Sequence, residues 1–149
     1  MIVIAHNIRS LHNVGSIFRS CDAFGVEKLY LTGFTGVPPR KEIAKVSLGS
    51  EHRVSWEAIF EIGPLLESLK RKGFCVVALD NTHGSIPINT LKTDQPLALI
   101  LGNEVEGVEK EVFLYCDQQI EIPMPGEKQS LNVSVATGIA LFALTQEGR

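Results

Sequence analysis

Two stretches of the chain, Phe74-Cys-Val-Val-Ala-Leu79 and Leu97-Ala-Leu-Ile-Leu101, are apolar at every position. A strand with one wet face alternates apolar and polar residues. An unbroken apolar run of this length instead fits a strand covered on both faces, as in a parallel sheet packed between helices. Ile2-Val-Ile-Ala5 is a shorter run of the same kind. From Asn13 to Phe24 the spacing changes: Val14, Ile17, Phe18, Cys21 and Phe24 recur at helical intervals, and Gly25 ends the pattern. Lys28 to Thr32 reads as a strand, 35–39 as a loop, and Lys41 to Val46 as a short helix. Glu57 to Lys72 predicts a long helix, interrupted at Gly63-Pro64 and stopped by Gly73. A brief helix over Val108 to Tyr115, a strand over Gln119 to Ile122 and a closing helix over Ser130 to Gln146 complete the series. The alternation predicts an α/β fold, a mostly parallel sheet flanked by helices, with residues 1–149 forming one domain.

A chain of 149 residues can bury a core without help from a disulfide or metal. The net charge of −3 excludes a protein that grips nucleic acid over its whole surface, because neutralising phosphates takes clustered cations. The charge is uneven, however. Arg9, Arg19, Arg40, Lys41, Lys45 and Arg53 lie in the first third, whereas Glu104, Glu106, Glu109 and Glu111 crowd a later stretch. That distribution suggests one anionic partner on one surface. Cys21, Cys75 and Cys116 form no C-x-x-C pair and read as reduced, buried thiols of a cytoplasmic protein. No signal peptide is visible. The most apolar stretch, Leu131 to Leu144, is too short to span a bilayer and includes Asn132, Ser134 and Thr137, so no membrane association is expected.

Several familiar sites are excluded. The only glycine near the end of the first strand is Gly15, too isolated for a dinucleotide-binding turn. Gly102-Asn-Glu-Val-Glu-Gly107 has the glycine spacing of a P-loop but lacks the Lys and Ser/Thr, and its glutamates would repel a triphosphate. There is no G-x-S-x-G elbow. His6, His12, His52 and His83 lack zinc-ligand spacing, and no metal is expected.

Three polar islands remain in this apolar frame. In the first, Asn7 to Ser20, the residues Gly15, Arg19 and Asp22 share one helical face. Gly15 would leave room for a ligand to approach Arg19; alternatively Asn13 is a plain helix N-cap and Arg19 a surface cation paired with Asp22. In the second, Leu97 to Val108, a buried strand runs directly into Gly102-Asn-Glu104, where open α/β sheets bind ligands; the alternative is a simple two-glycine turn. In the third, Ile120 to Ala140, a strand ends in a Pro/Gly loop and a helix opens near Ser130 and Asn132, with Ser130 a candidate cap. The apolar residues of that helix lie around much of its circumference, as in a helix buried in the domain or against a second subunit.

Taken together, Asn13-Val-Gly-Ser-Ile-Phe-Arg19, Ile100-Leu-Gly-Asn-Glu104-Val-Glu-Gly107 and Ile122-Pro-Met-Pro-Gly-Glu-Lys-Gln-Ser130-Leu-Asn132-Val-Ser-Val-Ala136 resemble the three motifs of the SpoU family of RNA 2′-O-ribose methyltransferases, in order and in register. The resemblance extends from Asn7 to about Leu144. It implies a Rossmann-like sheet with a deep C-terminal trefoil knot, a homodimer packed through the first-motif and closing helices, and S-adenosylmethionine as methyl donor. The implied cofactor contacts are Leu79, Asp80, Leu101, Gly102, Ile122, Met124, Ser130, Leu131 and Ala136. The implied catalytic set is Arg19, Asn13, Glu104, Ser130 and Asn132. Arg19 would act as base or, since a guanidinium stays protonated, would bind RNA phosphate or stabilise the developing alkoxide; the other four would position it, the ribose and the cofactor loop. Two other readings fit the same resemblance: a catalytically silent RNA-binding relative, and a knotted enzyme that methylates a base. The substrate is expected to be tRNA or rRNA, with tRNA favoured because nearly the whole chain is catalytic core.

Overall fold

The computed structural model describes residues 1–146. Its strands are β1 (Ile2–His6), β2 (Lys28–Thr32), β3 (Trp56–Ile59), β4 (Cys75–Leu79), β5 (Ile86–Pro87), β6 (Leu97–Leu101) and β7 (Gln118–Glu121). The helices are α1 (Leu11–Ala23), α2 (Lys41–Ser47), α3 (Ile62–Arg71), α4 (Lys110–Phe113) and α5 (Val133–Thr145), with single 3-10 turns at Ser50–His52 and Ile88–Thr90. The strand order is β3-β2-β1-β6-β4-β7-β5, and every pairing is parallel.

The apolar runs are explained by where alternate residues go. Val3, Ala5, Val77, Leu97, Leu99 and Leu101 join one buried cluster with Val14, Ile17, Phe18 and Cys21 of α1, Ile43 of α2 and Ala140, Leu141 and Leu144 of α5. Their neighbours Ile2, Ile4, Val76, Ala78, Ala98 and Ile100 join a second cluster, on the other face, with Leu65, Leu66 and Leu69 of α3 and Val108 and Val112 beside and within α4. Each fully buried Leu or Ile contributes roughly 1.5–3 kcal/mol relative to exposure, so neither face tolerates a polar residue in the central strands.

Four local readings change. Residues 56–59 form strand β3 at the sheet edge, and α3 begins only at Ile62, which puts Pro64 in its first turn, where its missing N–H has no helical partner to lose. Ser10, rather than Asn13, caps α1, accepting the Asn13 backbone N–H at 3.2 Å. Asn132, rather than Ser130, caps α5 by accepting the Ser134 N–H at 2.8 Å. The brief helix expected over Val108 to Tyr115 shrinks to Lys110–Phe113.

Cys21 and Cys75 are buried, while Cys116 is half-exposed rather than buried. On α5, Val135, Ile139 and Phe142 are exposed, opposite the residues packed on the sheet. Among the described residues no helix is long and apolar enough to cross a membrane.

Candidate active site

Parallel strands send all their C-terminal ends to one edge, so the loops after β1, β4, β6 and β7 meet there. The loop after β6 is a tight hairpin. Asn103 and Gly107 exchange backbone hydrogen bonds of 3.0 and 2.9 Å, and Asn103 Oδ1 accepts the Val105 and Glu106 N–H groups. A Cβ at Gly102 would stand 2.5 Å from the Gly107 carbonyl carbon, so a side chain there would force the hairpin open. Asp80, at the end of β4, accepts the Val108 N–H at 2.8 Å and clamps the hairpin from behind. Asn103 Nδ2 donates to Asn7 O at 2.8 Å and ties it to the loop after β1.

Glu104 projects from this hairpin onto the start of the first motif. Its Oε1 accepts the Arg9 N–H, and its Oε2 accepts both the Ser10 N–H and Asn13 Nδ2, each at 2.9 Å. Burial works to raise the Glu104 carboxyl, but these donors together outweigh it and hold the group below the usual carboxylate range. Asn13 and Glu104 thus fix the entry of α1 against the cavity wall, a contact that follows from the pairing of β1 with β6.

The loops enclose a cavity lined by Leu79, Asp80, Leu101, Gly102, Glu104, Ile122, Met124, Ser130, Leu131 and Ala136. All nine residues assigned to the cofactor by the resemblance are in this lining. Asn81, Asn103, Val105, Glu106, Gly107, Glu121, Gln129 and Val133 complete it and were not singled out from the sequence, although Asn103, Val105, Glu106, Gly107, Gln129 and Val133 lie inside the quoted motifs. Its walls are mainly aliphatic. Its polar residues are Asp80, Asn81, Asn103, Glu104, Glu106, Glu121, Gln129 and Ser130.

Three of the five catalytic candidates lie off this lining. Asn13 is buried behind Glu104, and Asn132 caps α5. Arg19 is exposed and lines a separate groove with Ser16, Ser20, Ala23, Phe24, Val46, Ser134 and Val135, between α1, α2 and the start of α5. Among the described residues it makes no ion pair; Asp22 is taken by Arg53 Nε at 2.7 Å and Ser50 Oγ at 2.9 Å. The face around Gly15 is also filled differently than expected. A Cβ there would lie 2.6 Å from Ile43 O, so the small residue admits α2 rather than a ligand.

A further cluster centred on His6 escaped sequence reading. This buried ring sits with Nδ1 2.8 Å from Thr32 Oγ1 and Nε2 2.7 Å from Glu109 Oε1. Asn7 Nδ2 donates to the same Glu109 oxygen at 3.1 Å. No spacing rule signals this contact, because His6 and Glu109 are 103 residues apart in sequence and meet only through the pairing of β1 with β6.

The profile of the SpoU rRNA Methylase family matches residues 1–142. The tRNA (guanosine(18)-2′-O)-methyltransferase of Aquifex aeolicus is 38% identical over 143 residues, covering 95% of this chain and 67% of that protein. The crystal structure of the A. aeolicus TrmH/SpoU tRNA modifying enzyme superposes with a TM-score of 0.87 at 38% identity, over 97% of this chain and 73% of that one. The AdoMet-bound rRNA methyltransferase from Sinorhizobium meliloti superposes with a TM-score of 0.89 at 29% identity, over 95% of this chain and 54% of that one. The chain spans 56% of the length of several other curated relatives.

Proposed function

The chain belongs to the SpoU rRNA Methylase family, and on that premise we propose that it transfers a methyl group from S-adenosylmethionine to a ribose 2′-hydroxyl of tRNA or rRNA, leaving S-adenosylhomocysteine. The observation that carries this reading is the convergence of seven residues of the second and third motifs, with Leu79 and Asp80 at the end of β4, on one cavity at the C-terminal sheet edge. The cavity fits the donor chemically. Leu79, Leu101, Ile122, Leu131 and Ala136 offer apolar cover for a purine ring, and loop backbone groups offer hydrogen bonds to its edge. The carboxylates of Glu104, Glu106 and Glu121 suit a ligand with sulfonium and ammonium charges. When bound, S-adenosylmethionine supplies an electrophilic methyl group.

The chain's own part is to hold and polarise the acceptor. Glu104, fixed by its three donors, keeps Asn13 and the first turn of α1 in place, which in turn sets the position of Arg19 two turns on. Arg19 either takes the 2′-hydroxyl proton or neutralises the alkoxide and adjacent phosphate; both roles need it turned toward the ribose. Its groove is separate from the cavity in one chain, which supports a homodimer in which Arg19 of one copy serves the cavity of the other. The exposed Val135, Ile139 and Phe142 of α5 would form that contact. We include in the reading one knotted, cytoplasmic catalytic domain over 1–149, in which the segment after β7 threads the loop after β4. The hydrogen bond from Asn81 Nδ2 to Gln129 O, 2.9 Å, joins those two segments, a contact that such threading requires.

The test is incubation with methyl-labelled S-adenosylmethionine and separate tRNA and rRNA pools, followed by alkaline hydrolysis. A labelled nucleotide whose 3′ linkage resists alkali is expected; label in a base, or none, would overturn the reading. Arg19→Ala is expected to lower transfer about 10²–10⁴-fold with cofactor affinity kept.

A further inference from the structure

At the ends of β2 and β3, outside the cavity, stand two exposed phenylalanines, Phe34 at 57% and Phe60 at 72% of full exposure. Single exposed apolar side chains are ordinary on a protein surface. This pair differs in three respects. The two residues lie on adjacent strand ends, since the Gly33 N–H donates to Phe60 O at 3.0 Å. They share the sheet edge that carries Glu104. Exposed cations stand near Phe34 along the chain or through Asn7: Arg9 is two residues beyond Asn7, whose side chain holds the Phe34 N–H, and Arg40 and Lys41 are six and seven residues beyond Phe34.

The backbone beneath Phe34 has little freedom. Asn7, in the left-handed region at φ 55°, accepts the Phe34 N–H on Oδ1 at 3.1 Å. Gly33, at φ 61°, has no space for a side chain, because a Cβ would collide with that same Oδ1. Buried Thr35 donates from Oγ1 to Ala5 O and accepts the Ile8 N–H, both at 3.0 Å. Asn7 is the residue whose carbonyl receives Asn103 Nδ2, so two hydrogen bonds in series link the Phe34 loop to the cavity hairpin. An exposed aromatic ring on so fixed a support has much of its ordering cost met before any partner arrives.

We propose that Phe34, with Phe60 beside it, is a stacking platform for an unpaired base of the substrate RNA, with Arg9 and Lys41 engaging the flanking phosphates. Every base has a π-face, so such a platform orders a single-stranded segment without reading its sequence. The cations favour a nucleic acid over an apolar peptide. Arg40 is partly engaged by Glu42 at 3.6 Å, whereas Arg9 and Lys41 make no ion pair among the described residues. The inference rests on the reading that the chain acts on RNA.

The experiment uses the full chain with S-adenosylhomocysteine bound and the RNA pool that the wild-type protein methylates. Phe34→Ala is expected to weaken RNA binding about 5- to 100-fold, the range of one lost base–aromatic stack, with unchanged cofactor affinity and unchanged sedimentation. Phe34→Trp should restore binding, and RNA should quench its emission beyond any change at Trp56. Phe34→Leu should not restore it. RNA affinity of Phe34→Ala or Phe34→Leu equal to wild type overturns the platform while leaving methyl transfer intact. A change in sedimentation or cofactor affinity for Phe34→Ala also overturns it, by assigning the ring to a subunit contact or to the fold. If the wild-type chain methylates no RNA, the underlying reading fails and the platform with it.

Discussion

Two loops wall the same cavity and are held in opposite ways. The hairpin from Gly102 to Val108 is fixed by a reciprocal backbone pair, the Asn103 side chain, the Asp80 clamp and the ties of Glu104 to the first motif. The segment from Ile122 to Asn132 is exposed along most of its length, and among the described residues Asn81 reaches across to it with a single side-chain bond. Local stability follows such networks, so the first loop keeps its shape whether or not a ligand is present, and the second depends more on what it encloses. The contrast is between a wall fixed by its own hydrogen bonds and one held by few.

The most severe way to break this contrast is at Gly102. Gly102→Ala puts a methyl group against the Gly107–Val108 backbone, and overpacking of this kind costs typically 1–3 kcal/mol. We expect a lower melting temperature by calorimetry and loss of cofactor binding by titration. If binding survives, the hairpin is not the rigid half.

A comparable effect is expected from Glu104→Gln, which removes the charge and replaces one accepting oxygen with an NH2 facing N–H donors; it should destabilise by about 1.5–3 kcal/mol near neutral pH. The folded carboxyl titrates below its ordinary value, so its contribution is complete above about pH 4.3 and disappears as pH falls through the lower folded value. Denaturant titrations of both proteins should therefore converge as pH falls through that lower folded value; a constant gap across pH would show that the charge plays no part.

On the less constrained side, Asn132→Ala should cost about 1 kcal/mol through loss of the α5 cap. Its signature is a small drop in midpoint with the pH dependence of the wild type, because no titrating group is involved. A loss as large as that at Gly102 would show the later segment to be just as tightly determined.

Much of this was legible in the sequence, for reasons that can be stated. Leu97 to Leu101 is apolar throughout because its residues feed two cores, and composition records that directly. Much of the cavity lining was legible because the second and third motifs supply it, with Leu79 and Asp80 added from the end of the strand before them. Trp56 to Ile59 was misread because an edge strand carries polar residues, and its four residues merge into the helical pattern that follows. Asn13 also suits a helix cap by its side-chain type, an alternative that local pattern cannot dismiss; its partner, Glu104, is separated from it by 91 residues. Gly15 carries no mark to distinguish room for a ligand from room for α2. Such errors concern who meets whom across the sheet, which local patterns do not encode.

The strand order has a consequence for how the chain assembles. β1 lies between β2 and β6, with Ala5 opposite Leu31 on one side and Leu101 on the other. The near neighbour is available early, but the far edge of β1 stays unpaired until β6 has been made and the loop between them closed. Non-local pairings of this kind slow folding, and an open edge invites pairing with another chain. A fragment ending before Leu97 would expose that edge permanently, and one ending before Gln118 would leave the outer edge of β4 open in the same way.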